Sequence, residues 1–310
     1  MGIFSPRIKV AVIRGGPSGS YEKSLQTGAY VLSLLRDMPE KYEPLDVFIS
    51  KTGDWHYGGL AQEPREALRH ADLVWNALHG TYGEDGQVQH VLEGLGIPFI
   101  GPTKFAANLS LNKHLAKELY QRHSLLTPAS ELITRQNFND DKLIEIFRTY
   151  LHPVIIKPAD GSHSFSIKKA YSYQELKDAI EQTLEVAKRV LVEEFIKGEE
   201  WSCGVLEGAR GEQFYNLVPV RSDGSFRMGG THREENSRMA EMSKVAHEAL
   251  GLRHYSSSDF IITPKGKIYI LETNALPVLT EDSLMHKALK ATGWNPKDFA
   301  EHCVKVAMGK

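Results

Sequence analysis

Residues 268–280 read IYILETNALPVLT. An apolar stretch is followed by Glu272 and, two places on, by Asn274. Alternate residues of a strand share a face, so a carboxylate and an amide leave this strand together. The preceding stretch SSDFIITP (257–264) is joined to KIYILETN by Lys265-Gly266, a pair suited to a hairpin turn. A two-residue loop there sets Pro264 against Lys267, Asp259 opposite Glu272, and Ser257 opposite Asn274. Directly opposed residues have Cβ atoms about 4.5–5.5 Å apart, and like charges there are destabilising unless compensated. A hard divalent cation compensates both carboxylates. Oxygen donors without His or Cys suit Mg²⁺ (or Mn²⁺), and Mg²⁺ held by few carboxylates shares its shell with substrate phosphates. The alternative is a pair of solvated carboxylates; the apolar character of the strand around Glu272 favours the metal.

Three further groups carry chemistry. In PVIIKPADGSHSFSIKKA (153–170), Lys157 sits among Val154, Ile155 and Ile156 and needs an anionic partner. That partner is either a structural carboxylate or a phosphate cradled by Gly161, Ser162, Ser164 and Ser166. GxxxxGK[ST] is absent, so this is no P-loop. VLVEEFIKGEEWS (190–202) interleaves Glu193, Glu194, Glu199 and Glu200 with Val192, Phe195 and Ile196. It reads as a solvated charged face or as an adenine slot rimmed by polar groups. ALHGTYGEDG (77–86) places His79, Gly80, Glu84 and Asp85 in a polar loop. His79 is either a structural histidine or a functional one.

The elements that must position these groups alternate in type. KVAVI (9–13) is a strand stopping at Gly15-Gly16, followed by a helix over about 24–35 and strands at 45–50 and 71–78. A helix over 88–96 and the strand IPFIG complete the set. Such alternation predicts a parallel α/β sheet, with ligands outside the carboxyl ends of its strands, where Gly16 and His79 lie. A helix pattern runs from Lys104 to His123, and strands at 153–158 and 190–196 flank a helix at about 174–189. From about Glu200 the pattern becomes antiparallel, and the last 25 residues read as one or two helices. Domain boundaries are expected near 102 and 192, giving units 1–102, 103–192 and 193–310. The polar, glycine-rich stretch SDGSFRMGGTHREENSR (222–238) suits a moving lid. Its Arg227, His232 and Arg233 are either phosphate or substrate contacts or plain surface residues.

Bulk properties narrow the class. The 310 residues suffice for two or three domains, and a formal net charge of −2 argues against nucleic-acid or membrane partners. No apolar run reaches the length of a membrane span. Two cysteines are too few for a disulfide framework or a cysteine zinc site and suggest a reducing, cytoplasmic setting. The oligomeric state stays open, a homodimer included.

In this order, the segments VAVIRGGPSGSYEKSL, ALHGTYGEDGQVQHVLEGLGIPFIGP, Leu111-Asn112-Lys113, PVIIKP, VLVEEFIKGEEWS and DFIITPKGKIYILETNALP resemble the ATP-grasp superfamily. Within it, they resemble the D-alanine–D-alanine ligases over nearly the whole chain. The resemblance implies an N-terminal pre-ATP-grasp domain followed by a two-lobed ATP-grasp fold, with ATP between the lobes. It implies that Lys113 and Lys157 hold phosphates; that Glu193, Glu194, Phe195 and Ile196 contact adenine; and that Glu200 meets the ribose. Asp259, Glu272 and Asn274 match magnesium ligands. His79 and Gly80 match the loop beside the amino acids, and Gly16, Ser20, Glu22, Ser257 and Ser283 fall at substrate positions. His79, Ser164, Arg227 and Arg233 are the catalytic candidates. The implied reaction joins a carboxylate to an amine through an acyl phosphate.

The chain departs from the family at the amino-acid side. The family's ammonium-binding glutamate aligns with Ser20, with Glu22 two places on. Its serine pair after KP aligns with His163 and Ser164. Its arginine two residues before the metal aspartate is Ser257, and the glycine of N-x-x-P-G is Val278. Losing an ammonium-binding carboxylate or an oxyanion-stabilising cation costs several kcal/mol unless another group substitutes; either the substrates differ from two D-alanines, or nearby residues such as Glu22, Arg227 or Arg233 substitute. Two readings follow: a ligase for D-alanine or other amino acids, and a nucleotide-binding protein that has lost ligation. A nicotinamide-binding Rossmann enzyme is excluded, because GxGxxG is absent.

Overall fold

The computed structural model describes residues 7–161, 167–226 and 232–309. Three sheets follow one another along the chain. The first contains β1 (Ile8–Gly15), β2 (Tyr42–Ile49), β3 (Trp55–Tyr57), β4 (Leu60–Gln62), β5 (Leu73–Asn76) and β6 (Phe99–Ile100), in the order β4-β3-β2-β1-β5-β6. The strands β2, β1, β5 and β6 run parallel, as their alternation with helices requires. The antiparallel edge hairpin β3–β4 went unread in the sequence. Its strands are three residues each, too short to show a period.

The second sheet is antiparallel: β7 (Ser130–Thr134), β8 (Val154–Pro158), β9 (Lys168–Ala170) and β10 (Arg189–Glu194), in the order β7-β10-β8-β9. The third is built from β11 (Glu199–Glu207), β12 (Phe214–Asn216), β13 (Val220–Arg221), β14 (Tyr255–Ile262) and β15 (Ile268–Asn274). Its order is β12-β11-β14-β15, with β13 also on β11. The mixed α/β and α+β architecture expected from the sequence is therefore present.

The helix expected over 104–123 is two helices, Lys104–Leu111 and Lys113–Arg122. The break is at Asn112, whose backbone leaves helical geometry to bridge Asp160 and whose side chain caps the second helix at Leu115 N. Lys113 thereby opens a helix beside the second sheet, with its N–H on Ala159 O. Residues 232–249 also differ from expectation: the stretch proposed to move contains the start of the helix His232–Ala249.

One apolar cluster joins the first and third sheets. It holds Val10, Val12, Trp75 and Ile100 together with Leu206, Tyr255, Phe299 and Cys303. The second sheet has its own core of Ile133, Ile156, Ile180 and Val192. The helix Lys113–Arg122 packs Ala116 and Tyr120 against Phe260 and Ile270 of the third sheet. The end of β6 is clamped from the third sheet's side. His254 Nδ1 accepts from Gly101 N (3.2 Å), and the Arg253 guanidinium donates to Gly101 O (3.0 and 3.2 Å).

Burial, and secondarily Arg253, pushes the His254 imidazole down to about 3; burial alone pushes His247 down to about 4. Both rings are neutral in the folded state but charge near 6.5 when unfolded. Their contribution is present above about pH 6.5 and is lost as pH falls towards 3–4, on the order of 5 kcal/mol for His254 and 3 kcal/mol for His247. Melting temperature is accordingly expected to fall steeply between pH 6.5 and 4. His254→Asn, which tolerates the left-handed backbone at this position (φ +66), should flatten that limb. An unchanged acid slope in thermal melts would contradict the assignment.

Candidate active site

The carboxylate pair is where the sequence places it, by a different route. Asp259 pairs with Glu272 and Ser257 with Asn274. The hairpin loop, however, has three residues, not two. Thr263 N donates to Lys267 O and Gly266 N to Thr263 O, both at 2.9 Å, and Ile262 faces Ile268. Pro264 supplies a fixed φ for the first corner, and Gly266 takes the left-handed position (φ +74) that such loops require. This displaces the ladder by one residue. A β-bulge between Asp259 and Phe260, where Leu271 has no partner, displaces it back. The two offsets cancel.

The bulge also decides direction. Ile268, Ile270, Glu272 and Asn274 are alternate residues, which a regular strand would place on one face. Ile268 and Ile270 are buried in the core under the sheet, and beyond the bulge it is Thr273 that continues that face. Thr273 accepts from Tyr120 Oη at 2.9 Å and shares a hydrogen bond with Ser258. Glu272 and Asn274 are thereby turned out of the core. Asn274 Nδ2 donates to Asp259 Oδ2 at 3.0 Å. Burial, and then the charge of Glu272, pushes the Asp259 carboxyl up to about 7. A carboxylate so disfavoured, facing a second one in an all-oxygen set, fits a hard divalent cation. Asp259, Glu272 and Asn274 are the residues that would hold it.

One cation stands beside this pair, and two more are paired elsewhere. Lys113 Nζ lies 3.7 Å from Glu272 Oε2 and donates to Gly161 O at 2.6 Å. Lys157, on β8, is buried and pairs with Glu193 Oε2 at 2.6 Å. The structural carboxylate weighed for Lys157 is thus present, and it is Glu193, itself expected at the adenine. Glu193 also binds Lys117 through Oε1 (2.8 Å). Lys117 was missed, although its i, i+4 spacing from Lys113 puts both on one helix face. Glu194 and Phe195 are half-buried and Ile196 is buried; Lys169 Nζ lies 4.5 Å from the centre of the Phe195 ring. Glu200 is exposed on β11, close enough to act on the Asp259 charge.

The loop after β5 faces the pair across a cleft of about 40 Å³ lined by Glu84, Ser110, Lys113, Gly161, Glu272 and Asn274, among others. His79 is buried; its Nε2 is 2.8 Å from Thr27 Oγ1 and its Nδ1 3.9 Å from Glu84 Oε1. Glu84 also receives the Gly80 N–H. Thr27 Oγ1 accepts from Leu279 N at 3.3 Å, so the hydroxyl proton is free for His79. One buried threonine thus ties the histidine to the loop after β15. Ser24, one turn earlier, accepts from Gly15 N and donates to Ala77 O. Neither was singled out from the sequence, though Ser24, Thr27 and Gly28 form a small-residue stripe at i, i+3, i+4.

The other expected residues divide. Gly16 has φ +93 and donates to Ile49 O at 2.8 Å; an added Cβ there would lie 3.2 Å from Leu78. Ser20 lies beside Gly80 at the start of the helix Tyr21–Arg36. Glu22 is exposed in that helix's first turn and reaches none of these groups through any hydrogen bond or ion pair among the described residues. Ser257 is buried on the same side of β14 as Asp259. Ser283 caps the helix Leu284–Ala291, accepting from His286 N and donating to Thr280 O. Arg233 is exposed in the first turn of the helix His232–Ala249. His163, Ser164 and Arg227 lie outside the described residues.

Parallel sheet, antiparallel lobes and an all-oxygen site beside buried lysines define an ATP-grasp type of enzyme. The D-ala D-ala ligase C-terminus family model matches residues 119–305, and the N-terminus model matches 58–102. The chain is 33% identical to D-alanine–D-alanine ligase B of Chromobacterium violaceum, over 96% of each chain. It superposes on the VanG D-Ala:D-Ser ligase of Enterococcus faecalis with a TM-score of 0.84 and 26% identity, covering 97% of this chain and 100% of that one. The Bacillus anthracis D-alanine–D-alanine ligase, solved with ATP, gives 0.81 at 26% identity, over 97% of each. The chain belongs to the D-alanine–D-alanine ligase family.

Two substitutions check the geometry. Glu272→Gln is expected to lower turnover by about 100-fold or more and to weaken its dependence on Mg²⁺ in initial-rate titrations; an unchanged magnesium requirement would contradict the metal assignment. Thr27→Val keeps the volume but leaves His79 Nε2 without its partner. It should lower kcat by about tenfold with little change in the KM for ATP. Wild-type kcat would show that the tie to His79 is idle.

Proposed function

We propose that this chain is an ATP-dependent ligase that joins two small amino acids, with D-alanine as the first substrate. The observation that carries the reading is the shared cleft. Glu84 of the first sheet's loop, Gly161 from the second, and Glu272 and Asn274 of the third line it together with Lys113, and Asp259 stands behind Asn274, hydrogen-bonded to it. Such convergence brings an amino acid, phosphates and a cation to one point.

In the first step an amino-acid carboxylate oxygen attacks the γ-phosphorus of ATP. The bond from that phosphorus to the β-bridging oxygen breaks, and ADP leaves with its electron pair. In the second, the amine nitrogen of the other amino acid attacks the acyl carbon. The carbon–oxygen bond to phosphate breaks, inorganic phosphate departs and the nitrogen loses a proton. Magnesium, when bound, neutralises phosphate charge. Lys113 and Lys157 supply positive charge where negative charge accumulates on the phosphates, which is most of what phosphoryl transfer asks of a protein. The His79–Glu84 loop holds its place beside the amino acids through Thr27. A reducing cytoplasmic setting fits the two buried free thiols, and no helix among the described residues is long and apolar enough to cross a membrane.

A different second amino acid is favoured by one observation. Ser257, buried beside Asp259, puts a hydroxyl where the resemblance calls for arginine. The experiment is amino-acid-dependent phosphate release from ATP across D- and L-amino acids, with products read by mass. Release with D-alanine, alone or paired with D-serine, and formation of the matching dipeptide are expected. ATP binding without turnover for any pair would overturn the ligase reading.

A further inference from the structure

The buried charge around Glu193 holds two cations on one anion. Both carboxylate oxygens are engaged, Oε1 by Lys117 and Oε2 by Lys157. The two lysines are not equivalent. Lys117 is 2% exposed and has two further partners, Thr127 Oγ1 at 2.9 Å and Pro128 O at 2.8 Å. With the ion pair to Glu193, these give the ammonium three fixed neighbours. Lys157, 7% exposed, stands one residue from the end of β8, where the chain turns towards Gly161. Glu193 is its one ion-pair partner among the described residues.

A buried carboxylate with a single lysine cannot release that lysine cheaply, because breaking a buried pair leaves an uncompensated charge. With a second, immobile lysine on its other oxygen, it can. We propose that Lys117 is a positioning residue that keeps Glu193 ionised and in place while Lys157 transfers from Glu193 to a nucleotide phosphate. This rests on the reading of Lys157 as a phosphate ligand given above. The resting pair then has a purpose: Glu193 stores Lys157 near the end of the strand that leads to Gly161, and Lys117 makes the store reversible. The position of Lys117 fits the task. It lies on the helix Lys113–Arg122, which packs on the third sheet, while Glu193 and Lys157 belong to the second, so it spans the two sides that must grip one nucleotide. The charged groups that act on Glu193 are Lys157 and Lys117; Glu194 acts in turn on Lys117. Lys117 itself is held below its usual range by burial, and Glu193 below its own by the two lysines acting against its burial.

The test is calorimetric binding of ADP and of adenosine to wild type and Lys117→Met, in metal-free buffer at pH 8.5, in two buffers of different ionisation enthalpy. That pH lies above the range in which Asp259 and the ADP phosphate titrate, so proton uptake reports Glu193. Wild type is expected to bind ADP with almost no proton uptake. The variant should lose about tenfold or more in affinity for ADP relative to adenosine, and should take up roughly half a proton more than wild type as Lys157 departs, because a buried unpaired glutamate titrates at about 8–9. Equal weakening of ADP and adenosine with unchanged proton uptake would mean that Lys117 only holds the fold, and would overturn the proposal. If the variant fails to fold, as circular dichroism would show, wild type carries the test: uptake of close to one proton on ADP binding overturns it. Wild type that binds no ADP even after Mg²⁺ is added would instead overturn the nucleotide reading itself.

Discussion

Two carboxylates facing each other across a hairpin are the constraint from which this structure is organised. Asp259 and Glu272 repel at close range, and burial makes Asp259 resist ionisation. Nothing in the packing of β14 and β15 needs that arrangement. The strand accepts a bulge at Leu271 in order to aim Glu272 and Asn274 away from the core that Ile268 and Ile270 help to fill. The bulge costs a ladder position and places the polar pair at the cleft. Sites that break a local rule in this way are where function is expected.

The surrounding fold supports that one place from three directions. The first and third sheets share an apolar cluster, so the His79 loop and the Asp259–Glu272–Asn274 set are held by a common core. Gly101 is gripped through both its N–H and its carbonyl by His254 and Arg253, and Thr27 joins His79 to Leu279. The second sheet, with its separate core, meets this body through polar contacts: Asn112 on Asp160, Lys113 on Gly161 and Lys117 on Glu193. Polar, directional contacts between separately packed bodies can be exchanged for contacts with a ligand, whereas a shared apolar core cannot. Lys113, proposed to hold phosphate, and Lys117 fall on that exchangeable seam.

Much of this was legible in the sequence because it depends on period and chemistry. Alternating strands and helices gave the parallel sheet, and the hairpin gave Asp259 opposite Glu272. That pairing nevertheless came from a two-residue loop, and the loop has three. A bulge inside a strand leaves no compositional trace, so Leu271 could not be read, and the inference succeeded because two shifts cancelled. The break at Asn112 was hidden because Leu111-Asn112-Lys113 is compatible with a helix until Asp160 pairs with its backbone. Lys117, Ser24 and Thr27 went unnoticed for another reason. Each is an ordinary helix residue until tertiary contact shows what its buried polar atoms touch. The amino-acid side stays least legible, since Glu22 lies exposed and His163, Ser164 and Arg227 fall outside the described residues.

The account stands on the claim that Asp259, Glu272 and Asn274 hold the cation that accompanies the nucleotide. Anomalous diffraction from crystals grown with Mn²⁺ and a non-hydrolysable ATP analogue tests it most directly. The account predicts a manganese peak within about 2.0–2.3 Å of oxygens from these three side chains, with Lys157 Nζ moved from Glu193 onto phosphate. A peak held by other residues, with Asp259 still hydrogen-bonded to Asn274 and no ion beside Glu272, would contradict it.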